Sequence, residues 1–372
     1  MKLEEIDLYV TNKCNLKCGF CSVKAGSYDV EISLSRIKEI IDEAVKFGLK
    51  DLHLTGGEPT LRDDLDQIVE YAALKNINLR LITNGTMLSK KRLDSLYEHG
   101  LKSIMISIDG TEEYHDKARG CKGTFKKACE AINYAIEKGM YVRVNSVAWK
   151  DNQYEILELL DFFNKSKVNV YSIFLGSPLG YAINKKNNII NPDEWKKFCQ
   201  KVKNKVLDNQ FYTKVVMEKG FLYKGEEPNS ILGFNGRGRG CYKITEYMDF
   251  LLIRSNGDVY PCVFYSNEAK PIGNINTESI EKIGRRFNNN KLYNKYGEHP
   301  LECNECKNLK YCHGGCRGYA KLCTDNWFNK DPRCDGKNGE NIIPLCPIVK
   351  LNINDNIIGG SSEQVLEDDK KI

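Results

Sequence analysis

No stretch of this 372-residue sequence approaches the roughly 20 consecutive apolar residues that a membrane-spanning helix requires, so no membrane segment is expected. The start, MKLEEIDLYVTNKC, lacks the basic residues and long apolar run of a secretory signal. A cytoplasmic protein is therefore expected, and Asn84-Gly85-Thr86 is a chance sequon. Charge of one sign is not concentrated either. The 55 basic and 50 acidic residues give a net charge of +5 with no basic footprint, so no nucleic-acid partner is expected. Nor is there a shortage of chain, because 372 residues bury a substantial core without covalent staples. What the sequence has in excess is cysteine. Its 15 cysteines, in a cytosolic chain with no need of disulfides, point to metal binding or catalysis.

From residue 5 to about 206, short apolar runs alternate with amphipathic helical stretches, the pattern of repeated β/α units around a parallel sheet. The expected strands are Ile6–Val10, Asp51–Thr55, Asn78–Thr83, Ser103–Ile108, Tyr141–Val147 and Asn169–Leu175. Leu34–Phe47 and Leu65–Lys75 are expected helices, the first capped by Ser33 or Ser35 and stopped at Gly48. The fold class is α/β: a partial (β/α)6 TIM-like barrel over 1–206, followed by a small cysteine-rich domain. Residues 207–240 read as a linker ending in the loop Gly233–Gly240, 241–350 as the second domain, and 351–372 as a flexible tail. A hairpin is expected in the second domain, with Phe250–Arg254 and Val259–Cys262 joined at Asn256-Gly257.

Barrels of this type carry their chemistry in the loops after the strands. Cys14, Cys18 and Cys21 follow the first strand, and Gly56-Gly57-Glu58-Pro59 follows the second. Three thiolates on one loop leave one iron of a four-iron cluster without a protein ligand, free to chelate a small molecule. A structural zinc site would close itself with a fourth ligand. In the second segment, the glycines allow close backbone approach to a bound amino acid, and Glu58 can pair with an ammonium.

CNLKCGFC, with Phe20 before the last cysteine, and GGEP resemble the two motifs of the radical S-adenosylmethionine (SAM) superfamily. The resemblance implies a four-iron, four-sulfur (4Fe-4S) cluster on Cys14, Cys18 and Cys21. SAM would bind at its open iron and, on reduction, be cleaved to methionine and a 5′-deoxyadenosyl radical that abstracts hydrogen from a substrate. Implied SAM contacts are Gly56, Gly57, Glu58, Pro59, Asn84, Ser107 and Asn145, with Asp109 and Arg119 nearby. The implied electron donor is a flavodoxin or ferredoxin.

A second pattern follows: Cys241, then Gly257-x4-Cys262, Cys303-x2-Cys306-x5-Cys312-x3-Cys316 and Cys334. It resembles the SPASM extension of radical SAM enzymes, which implies two auxiliary 4Fe-4S clusters. Cys303, Cys306, Cys312 and Cys334 would hold one, and Cys241, Cys262 and Cys316 the other, with Cys346 an alternative late ligand. A zinc ribbon is the rival for the CxxC and CxxxC pairs, since thiolate spacing alone does not separate zinc from iron. Cys129 and Cys199 fit buried helix positions, Cys121 and Cys323 read as ordinary cysteines, with Cys121 in a loop that could face the active site, and His313 reads as the neighbour of a cluster rather than a ligand.

The SPASM resemblance implies oxidative modification of a ribosomally made peptide or protein side chain. GGCRG and DPRC also resemble the branch acting on siroheme-derived tetrapyrroles, which keeps a small-molecule substrate open. With the first motif at residue 14, no leader-binding domain is expected ahead of the barrel. A non-catalytic iron–sulfur electron carrier is the reading from another class, opposed by the intact SAM motifs. No catalytic base or radical acceptor stands out; Glu218, Tyr247 and Asp249 lie near the join of the two regions.

Overall fold

The structure, a computed structural model, describes residues 2–27, 30–209, 211–218, 221–223, 250–288, 298–312, 314–334, 342–344 and 357–358. Strands and helices alternate: β1 (Glu5–Thr11), α1 (Leu34–Lys46), β2 (Asp51–Gly56), α2 (Leu65–Ala73), β3 (Asn78–Thr83), α3 (Lys90–Glu98) and β4 (Ser103–Ser107). After α4 (Glu112–Arg119) and α5 (Thr124–Glu137) come β5 (Tyr141–Ala148), α6 (Gln153–Ser166), β6 (Val170–Leu175), α7 (Pro192–Asp208) and β7 (Lys214–Glu218). The seven strands are parallel neighbours in chain order. This is the α/β fold of a partial TIM-like barrel.

The period-2 pattern of the strands decides which side chains meet the helices. Ile6, Leu8 and Val10 of β1 join Leu52 and Leu54 of β2 and Ile37, Ile40 and Ile41 of α1 in one buried core. The opposite, inner face carries Glu5 and Asp7 of β1, His53 of β2, Arg80 of β3 and Arg143 of β5. The helices start where local chemistry dictates. Ser33 Oγ accepts the Arg36 amide at 3.2 Å, making Ser33 the cap of α1. Asn191 and Glu194 form a reciprocal capping box with Pro192 in the first turn of α7. Gly48, with φ +96°, ends the turn after α1.

The structure departs from the expected partition at both sheet edges. Lys214–Glu218, inside the expected linker, is a seventh strand parallel to β6. After β8 (Phe221–Tyr223), the strand β9 (Phe250–Ile253) pairs in parallel with β1, so the second region extends the barrel sheet. The expected hairpin is present, with β9 antiparallel to β10 (Asp258–Tyr260), and β11 (Gly273–Asn274) follows. β12 (Ile342–Pro344) pairs with β8, and β13 (Ile357–Ile358), from the expected tail, pairs with β7. The glycine-rich loop 233–240 lies outside the described residues. Among the described residues no helix is long and apolar enough to cross a membrane.

Candidate active site

Cys14, Cys18 and Cys21 sit together on the loop leaving β1, and three neighbouring segments hold that loop, two by its backbone and one through the Asn15 side chain. The Gly57 and Glu58 amides donate to Thr11 O (2.9 Å) and Lys13 O (2.7 Å). The Tyr181 amide donates to Cys21 O at 2.9 Å. Asn84 Nδ2 donates to Asn15 Oδ1 at 3.0 Å, and Asn15 Nδ2 to Thr86 Oγ1 at 2.8 Å. The glycines of the second motif serve this contact. A Cβ on Gly57 would stand 2.2 Å from Lys13 O, and one on Gly56, at φ +147°, 2.2 Å from Thr11 O.

Glu58 is placed otherwise than its residue type suggests. It is fully buried and accepts from Thr60 Oγ1 (2.5 Å), Thr83 Oγ1 (2.6 Å), the Asn84 amide (2.8 Å) and the Thr60 amide (3.2 Å). Burial pushes its carboxyl up, against hydrogen bonds that favour the ionised form. The carboxylate braces the loops at the ends of β2 and β3. Thr60 and Thr83, which hold it, carry no motif signal of their own; a threonine closing β3 just before Asn84-Gly85 is the only trace in the sequence.

Ser107 and Asn145, expected as SAM contacts, lie side by side. They are register partners on β4 and β5, and Ser107 Oγ lies 3.3 Å from Asn145 Oδ1 on the inner face. Beyond them, buried Asp109 accepts from Arg119 Nη2 at 2.5 Å and from the Val147 amide at 3.1 Å. Arg119 Nη1 lies 3.9 Å from Cys18 Sγ, its guanidinium stands over the Phe20 ring at 5.3 Å, and its Nε is buried without a partner. An Arg119–Asp109 ion pair, with one arginine donor unused among the described residues, thus faces the cysteine loop. Burial raises both neighbouring thiols, Cys14 to about 11, while Arg119 works in the other direction on Cys18.

The later cysteines form two groups. Cys303, Cys306, Cys312 and Cys334 lie close enough for their charges to act on one another, and burial pushes Cys312 up to about 11. Cys262 and Cys316 are both buried. A Cβ on Gly318 would stand 2.5 Å from Phe264 Cβ, so the chain after Cys262 packs directly on the helix Arg317–Thr324, which begins at Cys316. Cys241, Cys346, His313, Tyr247 and Asp249 lie outside the described residues, and of Glu218 only the backbone, in β7, is described. Cys129 and Cys199 pack partly buried against the core, whereas Cys121 and Cys323 are exposed.

The donor sets fit iron–sulfur clusters better than single ions. A tetrahedral zinc with bonds of about 2.3 Å draws sulfurs to about 3.8 Å apart. Among the described residues, the one group of three or more potential ligands within 4.8 Å of one another is Glu5, Asp7 and His53, which contains no thiol. The cysteine groups are therefore spread more widely than a single ion requires.

Comparison with known proteins agrees with this arrangement. The profile of the Radical SAM superfamily matches residues 8–163, and that of the SPASM iron–sulfur cluster-binding domain matches 241–308. The chain is 25% identical over 344 residues to the AdoMet-dependent heme synthase of Nitratidesulfovibrio vulgaris, covering 88% of this chain and 91% of that protein. It is also 25% identical over 340 residues to the PqqA peptide cyclase of Bradyrhizobium diazoefficiens, covering 88% and 84%. In fold it is similar to Streptococcus suis SuiB bound to S-adenosylmethionine, with a TM-score of 0.73 and 20% identity over 90% of this chain and 78% of that one. The chain belongs to the radical SAM superfamily of enzymes and carries a C-terminal SPASM iron–sulfur domain.

Proposed function

We propose that this enzyme oxidatively modifies a side chain of a ribosomally made peptide or protein. The observation that carries this reading is the set of polar side chains on the inner sheet face. Glu5, Asp7, His53, Arg80, Arg143 and Ser172 lie there among apolar Tyr9, Met105, Val147 and Phe174, a mixed lining that suits a peptide with its own donors and acceptors better than a flat apolar macrocycle. Relatives named for peptide chemistry, PqqA peptide cyclase and the subtilosin biosynthesis protein AlbA of Bacillus subtilis, support it. A second reading, tetrapyrrole side-chain chemistry, is favoured by the 91% coverage of the heme synthase relative.

The cofactors are those of the family: a 4Fe-4S cluster with SAM, and auxiliary iron–sulfur clusters. Bound together and reduced, cluster and SAM supply a 5′-deoxyadenosyl radical. In this reading Cys14, Cys18 and Cys21 hold the first cluster, with Cys303, Cys306, Cys312 and Cys334 on one auxiliary cluster and Cys241, Cys262 and Cys316 on another. Arg119 offers its cation to a carboxylate, while Ser107 and Asn145 supply short polar groups on the neighbouring strands. The Gly56–Pro59 backbone sets the distance between the cysteine loop and the rest of the rim. Residues 241–350 act as the unit that accepts the electron released by the substrate, and an electron carrier such as a flavodoxin or ferredoxin donates the first one.

The test is anaerobic incubation of the reconstituted, reduced protein with SAM and either a deuterated candidate peptide or a siroheme-derived tetrapyrrole. Deuterium appearing in 5′-deoxyadenosine from the peptide alone supports the proposal. Transfer only from the tetrapyrrole overturns it in favour of the second reading. Iron analysis is expected to give about twelve irons per chain, and about four fewer in Cys14→Ala.

A further inference from the structure

Two side chains on neighbouring inner-face strands are each anchored at one nitrogen and unused at the rest. Leu79 and Leu81 of β3 are buried in the core shared with the helices, so Arg80 between them faces the barrel lumen. Its Nε donates to Ser103 Oγ of β4 at 3.3 Å. That is its one hydrogen bond among the described residues, where it also has no ion pair, and Nη1 and Nη2 are left over. The side chain is half-buried, and a guanidinium drawn partly out of water is stabilised by an anion that completes its bonds.

His53 of β2 is the register partner of Arg80. Its Nδ1 donates to Asp7 Oδ1 at 2.9 Å and lies 3.7 Å from Glu5 Oε1. Both carboxylates belong to β1, on the far side of His53 and two strand spacings, about 10 Å, from the backbone of Arg80, with which neither forms an ion pair. The bond to Asp7 keeps a proton on Nδ1, so a neutral ring presents Nε2 as an acceptor. Nε2 has no partner among the described residues. The two strands thus offer, side by side, a fork of two donors and a single acceptor.

An acidic residue within a peptide matches both. Its carboxylate takes the two Nη donors end-on, and an amide N–H of the adjoining backbone donates to Nε2. A tetrapyrrole carboxylate, carried on an alkyl arm, has no N–H beside it and matches the fork alone. The height in the barrel agrees with a substrate contact. Ser103, which orients Arg80, stands four residues before Ser107 on β4, about 13 Å along the strand. A residue held at Arg80 therefore leaves the next part of the same peptide beneath the Ser107–Asn145 pair at the rim.

We propose that Arg80 and His53 form a subsite for an acidic residue of the substrate, Arg80 taking the side-chain carboxylate and His53 Nε2 a neighbouring backbone N–H. This rests on the reading of the substrate as a peptide and adds that Asp or Glu stands close to the residue that is modified.

The experiment is equilibrium binding of labelled short peptide pools to the anaerobically reconstituted, SAM-loaded full chain, followed by fluorescence anisotropy. One pool has Glu fixed at the centre of an otherwise random sequence and its twin has Gln there; a siroheme-derived tetrapyrrole and its methyl ester form a second pair. The Glu pool is expected to bind about tenfold more tightly than the Gln pool. Arg80→Gln is expected to bring this preference below about twofold. His53→Ala is expected to weaken both pools alike, by about fivefold, and to keep the preference, because the N–H it takes is common to both. Equal binding of the two pools by the unmodified protein overturns the subsite and leaves the peptide reading standing. So does an Arg80→Gln variant that weakens both pools in equal measure, which marks a purely structural role, or a His53→Ala variant that weakens neither. Binding of the tetrapyrrole with no binding of either pool overturns the subsite and the peptide reading together, and no binding of any probe overturns the subsite. Should Arg80→Gln fail to take up iron, Arg80→Lys decides: it keeps the charge without the fork and is expected to bring the preference to about threefold, and an unmoved preference overturns the proposal.

Discussion

Glu58 is the acceptor for four donors drawn from two segments, Thr60 and Thr83–Asn84, and its replacement separates bracing from ligand binding. Glu58→Ala strands those donors in a dry site and is expected to cost about 3 kcal/mol. Glu58→Gln, which keeps one acceptor oxygen, is expected to cost about half as much and to leave SAM affinity within about threefold once folded. Denaturant melts and equilibrium binding of SAM check this; a large loss of affinity in a stable Gln variant would return Glu58 to the ligand. His115 gives a pH signature. Its Nδ1 accepts the Asp109 amide at 3.2 Å, and burial, with Arg119 beside it, pushes the ring down to about 4 from the ordinary 6.5. The neutral ring therefore stabilises the fold fully above pH 6.5, and that contribution is lost as pH falls through 4, on the order of 3 kcal/mol in all. In the cluster-free protein, His115→Gln should flatten the fall in stability between pH 6.5 and 4; parallel curves would refute this. The thiol positions were legible because ligand spacing is local. The role of Glu58 was not, because burial and partners come from Thr60, Thr83 and Asn84, which only the fold brings together.

At the level of elements, the second motif is a spacer between two loops. Gly57→Ala places a Cβ 2.2 Å from Lys13 O and 2.7 Å from Asn12 O, both backbone atoms that yield only if the cysteine loop moves. The variant is expected to lose most of the iron of the first site, about four per chain, while keeping the auxiliary iron. Iron and sulfide analysis together with EPR checks it, and full loading would show that the loop tolerates the shift. The six strands were legible from apolar alternation, with ends moving by one residue or so, and so was the Asn256-Gly257 hairpin. β7 was not, since Lys-Val-Val-Met-Glu is too short a run to stand out, and it becomes a strand only because β6 offers an edge.

Across the whole molecule, α1 fastens the second region to the barrel. Arg36 donates to Ile275 O at 2.7 Å and Glu278 O at 3.0 Å, while Glu43 Oε2 accepts the Ile280 amide at 2.7 Å. Arg36→Ala is expected to destabilise the protein by about 2 kcal/mol and to speed hydrogen exchange around residues 275–280 more than in β3. Uniform exchange would refute a local fastening. Nothing in the local pattern announced this seam, because its partners are more than 230 residues apart in sequence. The parallel pairing of β1 with β9 adds a mechanical constraint. The strand that launches the cysteine loop is zipped on its other flank to the hairpin ending just before Cys262, through the partners Glu5 to Leu8 and Phe250 to Ile253. Any hinge opening between these two ends would have to tear that ladder, so the spacing between the cysteine loop and Cys262 is fixed when the chain folds and not adjusted when a substrate arrives.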